Sequence, residues 1–160
     1  MKIVKIIAVA FSILISSSAF CEETNDLKFR PHLGIGNIYF PGSGGDETIS
    51  HFGGRVLLSA GGIRWYGLEM TRFLSQSGES FVSSGVILEQ RLFRWFNMSI
   101  GTIGYFSYGQ SRENPIGITT NLGWEPSTNA IAHPFVTYKG DFIFVIGKTT
   151  VHSLSVGLSW

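Results

Sequence analysis

The end of the chain carries the pattern that most constrains its fold. Across residues 153–160, apolar side chains alternate with small ones. One face of an extended strand would carry Leu154, Val156, Leu158 and Trp160, and the other Ser153, Ser155, Gly157 and Ser159. Successive side chains of a strand point to opposite sides, so one face suits hydrocarbon and the other a narrow polar interior. The pattern predicts a transmembrane β-strand that ends on an aromatic residue.

The same alternation recurs from residue 27 onward. Polar loops at 41–50, 75–80 and 109–115 alternate along the chain with short connections near 61–62, 94–97 and 125–129. Residues 130–149 allow two readings, a hairpin turning at 139–141 or one strand from about 134 to 146. A hairpin gives an odd number of strands and leaves Trp160 at the wrong end. We therefore predict an all-β fold, an eight-stranded antiparallel up-and-down transmembrane β-barrel over residues 22–160.

The first 21 residues have the features of a cleaved signal peptide. A short basic stretch that contains Lys2 and Lys5 precedes an apolar run over 6–15 and then small residues. This run is half the roughly 20 residues that a spanning helix needs. We expect cleavage near Ala19 or Cys21. Because Cys21 is the only cysteine, the mature chain would have no disulfide framework and no cysteine metal site.

The charge content excludes some functions and leaves one rival fold open. The net charge is +1, which argues against a nucleic-acid partner, since phosphate binding needs a concentrated basic surface. The alternation also suits a soluble, calycin-like lipid-binding barrel with its faces reversed. Charged residues make up 14% of the chain, well below the average of about 25%. This scarcity, the Gly and Ser on the polar face and the final Trp160 favour the membrane barrel.

The predicted inward positions contain charges of both signs. An eight-stranded barrel has an interior just wide enough to be filled by its own side chains. Charges on neighbouring strands would then satisfy one another where little water enters. We predict an internal salt-bridge network of structural importance, formed by Lys28, Arg30, Arg55, Glu69, Glu89, Arg91, Lys139 and Asp141.

The tryptophans form a second predicted group. All four fall at the end of the barrel that carries the short turns: Trp65, Trp95, Trp124 and Trp160. Membrane barrels concentrate aromatic rings at the membrane interfaces. We predict an aromatic girdle at the periplasmic rim.

Candidate catalytic residues are few. A serine, a histidine and two acidic residues come together at the first loop: Asp46, Glu47, Ser50 and His51. Such a group can in principle activate a hydroxyl, although most such clusters are only solvated loop. No two histidines have metal-ligand spacing. We expect no catalytic residues, no metal and no cofactor.

The closing strand and the architecture resemble the small eight-stranded outer-membrane barrels of the OmpA/OmpX type in Gram-negative bacteria. The resemblance implies an outer-membrane location and insertion by the barrel assembly machinery, with Leu154, Val156, Leu158 and Trp160 as the closing-strand signal. It also implies a monomer in contact with outer-membrane lipid and lipopolysaccharide. By strand parity Arg72 points outward near the upper rim, where it either contacts a lipopolysaccharide phosphate or only extends its charge to the lipid headgroups.

The resemblance implies a structural or surface-interaction role in the cell envelope. The short loops argue against strong adhesion. A lipid A-modifying barrel enzyme is a third possibility, but His152 is followed by Ser153 and Leu154, which departs from the His-x-Ser-Asn signature of lipid A deacylases.

Overall fold

The computed structural model describes residues 27–39, 46–106, 114–126, 131–144 and 149–160. They form eight strands in a closed antiparallel barrel in which each strand pairs with its neighbours in sequence. The strands are β1 (Leu27–Tyr39), β2 (Asp46–Ser59), β3 (Arg64–Ser75), β4 (Ser80–Phe93), β5 (Phe96–Phe106), β6 (Ile116–Trp124), β7 (His133–Ile143) and β8 (Thr150–Ser159). The predicted fold class is confirmed. Over the described ranges, no helix is long and apolar enough to cross a membrane.

The barrel closes where the first and last strands pair. β1 runs antiparallel to β8, and Phe29 and Trp160 exchange two backbone hydrogen bonds of 3.2 and 3.1 Å. We call this end the turn end, because residues 60–63 and 94–95 also connect strands there. The opposite end, where residues 76–79 join β3 to β4, is the loop end. The proposed signal peptide, 1–21, lies outside the described residues.

The first short turn has the predicted glycine conformation. Gly61 and Gly62 have φ angles of 94° and 64°, which an L side chain adopts at a cost of roughly 1–2 kcal/mol. Two glycines therefore reverse the chain tightly between β2 and β3.

The ambiguous segment forms one strand rather than a hairpin. β7 continues through residues 139–141 to Ile143, short of the predicted end at 146. Lys139 and Asp141 both point inward and are buried. A correction applies at the first loop, since β2 begins at Asp46 and residues 46–50 are strand. Pairing with β1 reaches Tyr39, because hydrogen bonding between strands continues where hydrophobicity no longer marks it.

The two faces of the barrel have opposite character. Large apolar side chains cover the outside, with Leu33, Ile35 and Leu68 about two-thirds exposed at 63%, 67% and 65%. Charged and polar side chains are buried inside. A soluble lipid-binding barrel has its apolar face inside, so the arrangement of the faces does not suit that fold.

Candidate functional site

The interior of the barrel contains the densest set of interacting polar side chains. Seven of the eight residues predicted for the charge network are buried there, and Arg91 is half-buried. Six of the eight fall into two groups, one of Arg30 with Glu89 and one around Glu69 with Arg55, Lys139 and Asp141. Beyond the second group, an apolar cluster fills the loop end of the lumen.

The first group centres on the guanidinium of Arg30. Its Nη1 donates to both carboxylate oxygens of Glu89, at 2.6 and 2.8 Å. Its Nη2 donates to Glu125, and its Nε lies 3.2 Å from the Ser159 hydroxyl. The planar fork of Arg suits such multiple contacts with carboxylates. Arg30 on β1 is thereby linked to β4, to β8 and to the connection that follows β6.

The second group centres on Glu69. Arg55 Nε donates to one oxygen of this carboxylate at 2.6 Å, and Lys139 donates to the other. Lys139 Nζ also lies 3.4 Å from Asp141, which accepts a hydrogen bond from the Tyr105 hydroxyl. Two cations therefore face two carboxylates, and formal charge within the group is balanced.

A short polar chain extends this second group across the lumen. Arg55 Nη2 donates to the Asn121 side-chain oxygen at 2.6 Å, and the Asn121 amide donates to Ser99 at 2.9 Å. Both contacts pair a buried donor with a buried acceptor, which offsets the cost of taking these polar groups out of water.

One predicted girdle residue lies in the interior instead, and the prediction for it was wrong. Trp65 is buried at 2% exposure, and Lys28 Nζ lies 4.4 Å from the centre of its ring. The reason is the strand period: Tyr66 and Leu68 point outward on β3, so the odd-numbered Trp65 points inward. A cation over an aromatic face is a favourable pair.

The other three tryptophans and the closing strand have exposed side chains on the outside. Trp95, Trp124 and Trp160 are exposed at the turn end. On β8, Leu154, Val156 and Leu158 are also exposed. Arg72 is exposed on the outer face of β3, where its register partners are Phe52 and Val82.

The apolar cluster at the loop end was not anticipated from the sequence. It consists of Ile38, Ile49, Phe73, Phe81, Ile103, Tyr105, Ile143 and Val151. The rings of Phe73 and Phe81 stack with centroids 4.9 Å apart. Each member occupies an inward position of its strand, so strict alternation would have identified it. These side chains occupy the lumen where an open pore would need space.

The Ser, His and acidic residues that lie close in sequence at the first loop do not assemble into a catalytic group. β2 includes both Ser50 and His51, so their side chains lie on opposite faces: Ser50 is exposed and His51 is buried. The His51 ring lies 5.9 Å from that of His32, whose Nε2 is 3.3 Å from the Thr71 hydroxyl. Across the described segments, no group of three or more His, Cys, Asp or Glu side chains is arranged to hold a metal ion.

The sequence matches no protein-family model and no curated protein significantly. Solved structures do match. The crystal structure of Neisserial surface protein A, NspA, aligns with a TM-score of 0.64 at 11% identity, over 86% of this chain and 98% of that one. The N-terminal β-barrel domain of Pseudomonas aeruginosa OprF aligns with a TM-score of 0.62 at 9% identity, over 85% of this chain and 98% of that one.

These identities support a comparison of folds alone. In this chain that fold is a closed eight-stranded barrel with buried charges and an apolar exterior. The chain has the fold of the small eight-stranded outer-membrane β-barrels.

Proposed function

We propose that this protein is an integral outer-membrane β-barrel that stabilises the bacterial envelope or interacts at its surface, with a lumen filled by its own side chains. The observation that carries the proposal is the inverted distribution of polarity. Arg30, Arg55 and Glu69 are buried inside, while exposed apolar side chains cover the outer face of every strand. In water an apolar surface of this extent would drive association, whereas lipid solvates it.

The soluble lipid-binding alternative requires a different interior. An apolar ligand needs a largely apolar cavity, but the middle of this lumen contains the Glu69 group of two cations and two carboxylates. A lipid could enter only if these ion pairs were separated. The separated charges would remain buried and unpaired, at a cost of several kcal/mol.

A matched pair of substitutions tests the membrane location. Leu68 points outward near the middle of β3 and is 65% exposed. In a soluble barrel, Leu68→Arg would cost little; facing the bilayer midplane, it would cost roughly 2–4 kcal/mol. Leu58→Arg is the control, since Leu58 points outward close to the turn end, where the cost falls to about 0–1 kcal/mol.

The readout is the fraction of protein in outer membranes that changes gel mobility on boiling. We expect a clear shift for the natural sequence and for Leu58→Arg, and a strongly reduced folded fraction for Leu68→Arg. A soluble periplasmic protein that tolerates both substitutions equally would refute the proposal.

We further propose that the barrel assembly machinery inserts the chain through its closing strand. Trp160 is exposed beside Phe29 at the seam between β1 and β8, where their rings stack at 6.1 Å. Trp124 has a similar exposure, 41% against 44%, but lies outside the closing strand. Trp160→Ala should lower the assembled fraction several-fold in cells, and Trp124→Ala should not. Equal effects would indicate a general requirement for aromatic rings at the rim.

Within the envelope, the geometry favours a stabilising role over adhesion or catalysis. The connection between β3 and β4 is the tight turn at 76–79, closed by the backbone hydrogen bond from Ser75 to Glu79. Ser50 and His51 face opposite sides, which separates the candidate nucleophile at the first loop from its base. Deleting the gene should increase sensitivity to detergent, and a version with residues 76–79 replaced by Asn-Gly should restore resistance. Failure of that version would indicate a surface-interaction role for the turn.

A further inference from the structure

A row of polar residues interrupts the apolar exterior near the loop end. Five residues on five neighbouring strands lie directly opposite one another in register: Thr48, Asn37, His152, Gly140 and Thr120. We call these five residues the outer polar row. The adjacent row toward the turn end is mostly apolar and pairs Ile35 with Leu154 and Leu154 with Tyr138.

Contacts within the row satisfy only some of its polar groups. The Tyr138 hydroxyl and His152 Nδ1 are 2.7 Å apart, and the two rings stack. The Thr120 hydroxyl donates to the Gly140 carbonyl at 3.2 Å. No described residue forms a hydrogen bond with the side-chain amide of Asn37. The row therefore has a fixed half around Gly140 and an available half around Asn37.

The geometry of the imidazole prepares it for a ligand. When the Tyr138 hydroxyl donates to Nδ1, the proton of the neutral ring lies on Nε2, which becomes a donor. His152 is thus held against the barrel wall, with its second nitrogen outside the contact with Tyr138.

A cleft lies over the available half of the row. Its volume is about 280 Å³, and its lining includes Asn37, Thr48, His152, Ile35 and Leu154. Hydrogen-bonding groups occur on the side nearer the loop end, and apolar side chains continue toward the middle of the barrel. This order matches an amphiphile whose polar linkage lies above its hydrocarbon.

The choice of ligand follows from the chemistry of the lining and rests on the proposed membrane location. A polar group that faces hydrocarbon without a partner is costly, so the row requires a polar lipid region at its depth. The carboxamide of Asn37 offers a donor and an acceptor, which pair completely with an amide, whereas an ester supplies acceptors only. Among the described residues that line the cleft, none has a charged side chain to bind a phosphate.

We propose that the outer polar row binds the amide linkage of an amide-acylated glycolipid in the leaflet at the loop end, and that its acyl chains lie over Ile35 and Leu154. Asn37 pairs with the amide, and His152 Nε2 donates to a carbonyl or hydroxyl oxygen of the lipid. The barrel thereby selects a lipid by its uncharged linkage.

Native mass spectrometry of the purified, folded barrel in detergent tests this assignment. The probes are lipid A, which has amide-linked chains, and phosphatidylethanolamine, which has only ester-linked chains. Lipid A should bind preferentially. Losing two hydrogen bonds in Asn37→Leu/His152→Leu should weaken its binding roughly tenfold, and each single variant should have a smaller effect.

The control is Thr102→Leu, which replaces an exposed polar residue on the outer face of β5, a strand that contributes no residue to the lining of the cleft. Its lipid binding should be unchanged. Every variant is first checked for the mobility shift on boiling, so that a folding failure, which bears on the proposed function, is separated from a loss of binding. Unchanged binding in the double variant, equal binding of phosphatidylethanolamine, or a dimer that the substitutions dissociate would each overturn the assignment.

Discussion

Arg30 and Glu89 form a buried ion pair of 2.6 Å across the lumen, although they lie on β1 and β4, which are not neighbours in the barrel. Hydrogen bonds between adjacent strands fix the wall locally. A pair that crosses the interior instead sets the distance between opposite parts of the wall. It acts as a strut against flattening of the barrel.

A double-mutant cycle should measure this strut. Arg30→Met and Glu89→Gln each leave a charged partner in the interior, so each should destabilise the barrel, and the double variant should lose less than the sum. We expect a coupling energy of about 0.5–3 kcal/mol, measured by urea unfolding of the barrel in lipid vesicles. Additive effects would mean that Glu125 alone holds Arg30.

The Glu69 group should be the more sensitive of the two. Glu69→Gln removes the carboxylate that Arg55 and Lys139 share and should cost about 3–5 kcal/mol in unfolding free energy. Glu47→Gln is the control, because Glu47 lies at the loop end and accepts a hydrogen bond from Ser77 there; its loss should cost less than about 1 kcal/mol. Similar losses for the two variants would contradict a special role for the buried group.

The filled lumen should not conduct ions. Phe73 and Tyr105 are fully buried in the apolar cluster at the loop end, where they occupy the cross-section of a narrow barrel. In planar bilayers the natural sequence should give no discrete current steps, and Phe73→Ala/Tyr105→Ala should produce small ones. Phe52→Ala, which removes an outward ring of β2, should remain silent. Steps in the natural protein would require an open path past the cluster.

The inward position of Trp65 can be tested by fluorescence. In variants that retain a single tryptophan, brominated lipid chains should quench Trp124 and Trp160, whose rings are exposed, and should leave Trp65 largely unquenched. Lys28→Met should alter the Trp65 emission, because Lys28 lies over that ring. If Trp65 were quenched as strongly as Trp160, its ring would have to face the lipid, as the predicted girdle requires.

The sequence predicted the number of strands and the inward direction of the charges because both depend on a period of two. It did not predict that Arg30 would meet Glu125, which follows β6, because contacts across the lumen depend on how the closed barrel aligns distant strands. Trp65 was misplaced for a different reason. Its place along the barrel axis puts it at the rim, but its parity, which Tyr66 and Leu68 define, turns its ring inward.

The structure of the loop end was also only partly predictable from the sequence. Ile38, Phe73 and Val151 occupy inward positions that a polar-lumen pattern does not anticipate, and β2 extends to Asp46 through a polar stretch. Backbone pairing with β1 carries that strand past the point where hydrophobicity marks it. Composition identifies lipid-facing positions well and strand ends poorly.

The pairing of β1 with β8 has a consequence for the order of events in the cell. Of the eight strands, the two that seal the barrel are the first and the last to be synthesised, so a nascent chain that lacks β8 cannot form the seam. Before the seam forms, β1 and β8 are edge strands with unpaired backbone groups, and every strand exposes an apolar face. Both features promote aggregation. With the proposed outer-membrane location, the chain would therefore need protection from aggregation until β8 can pair with β1.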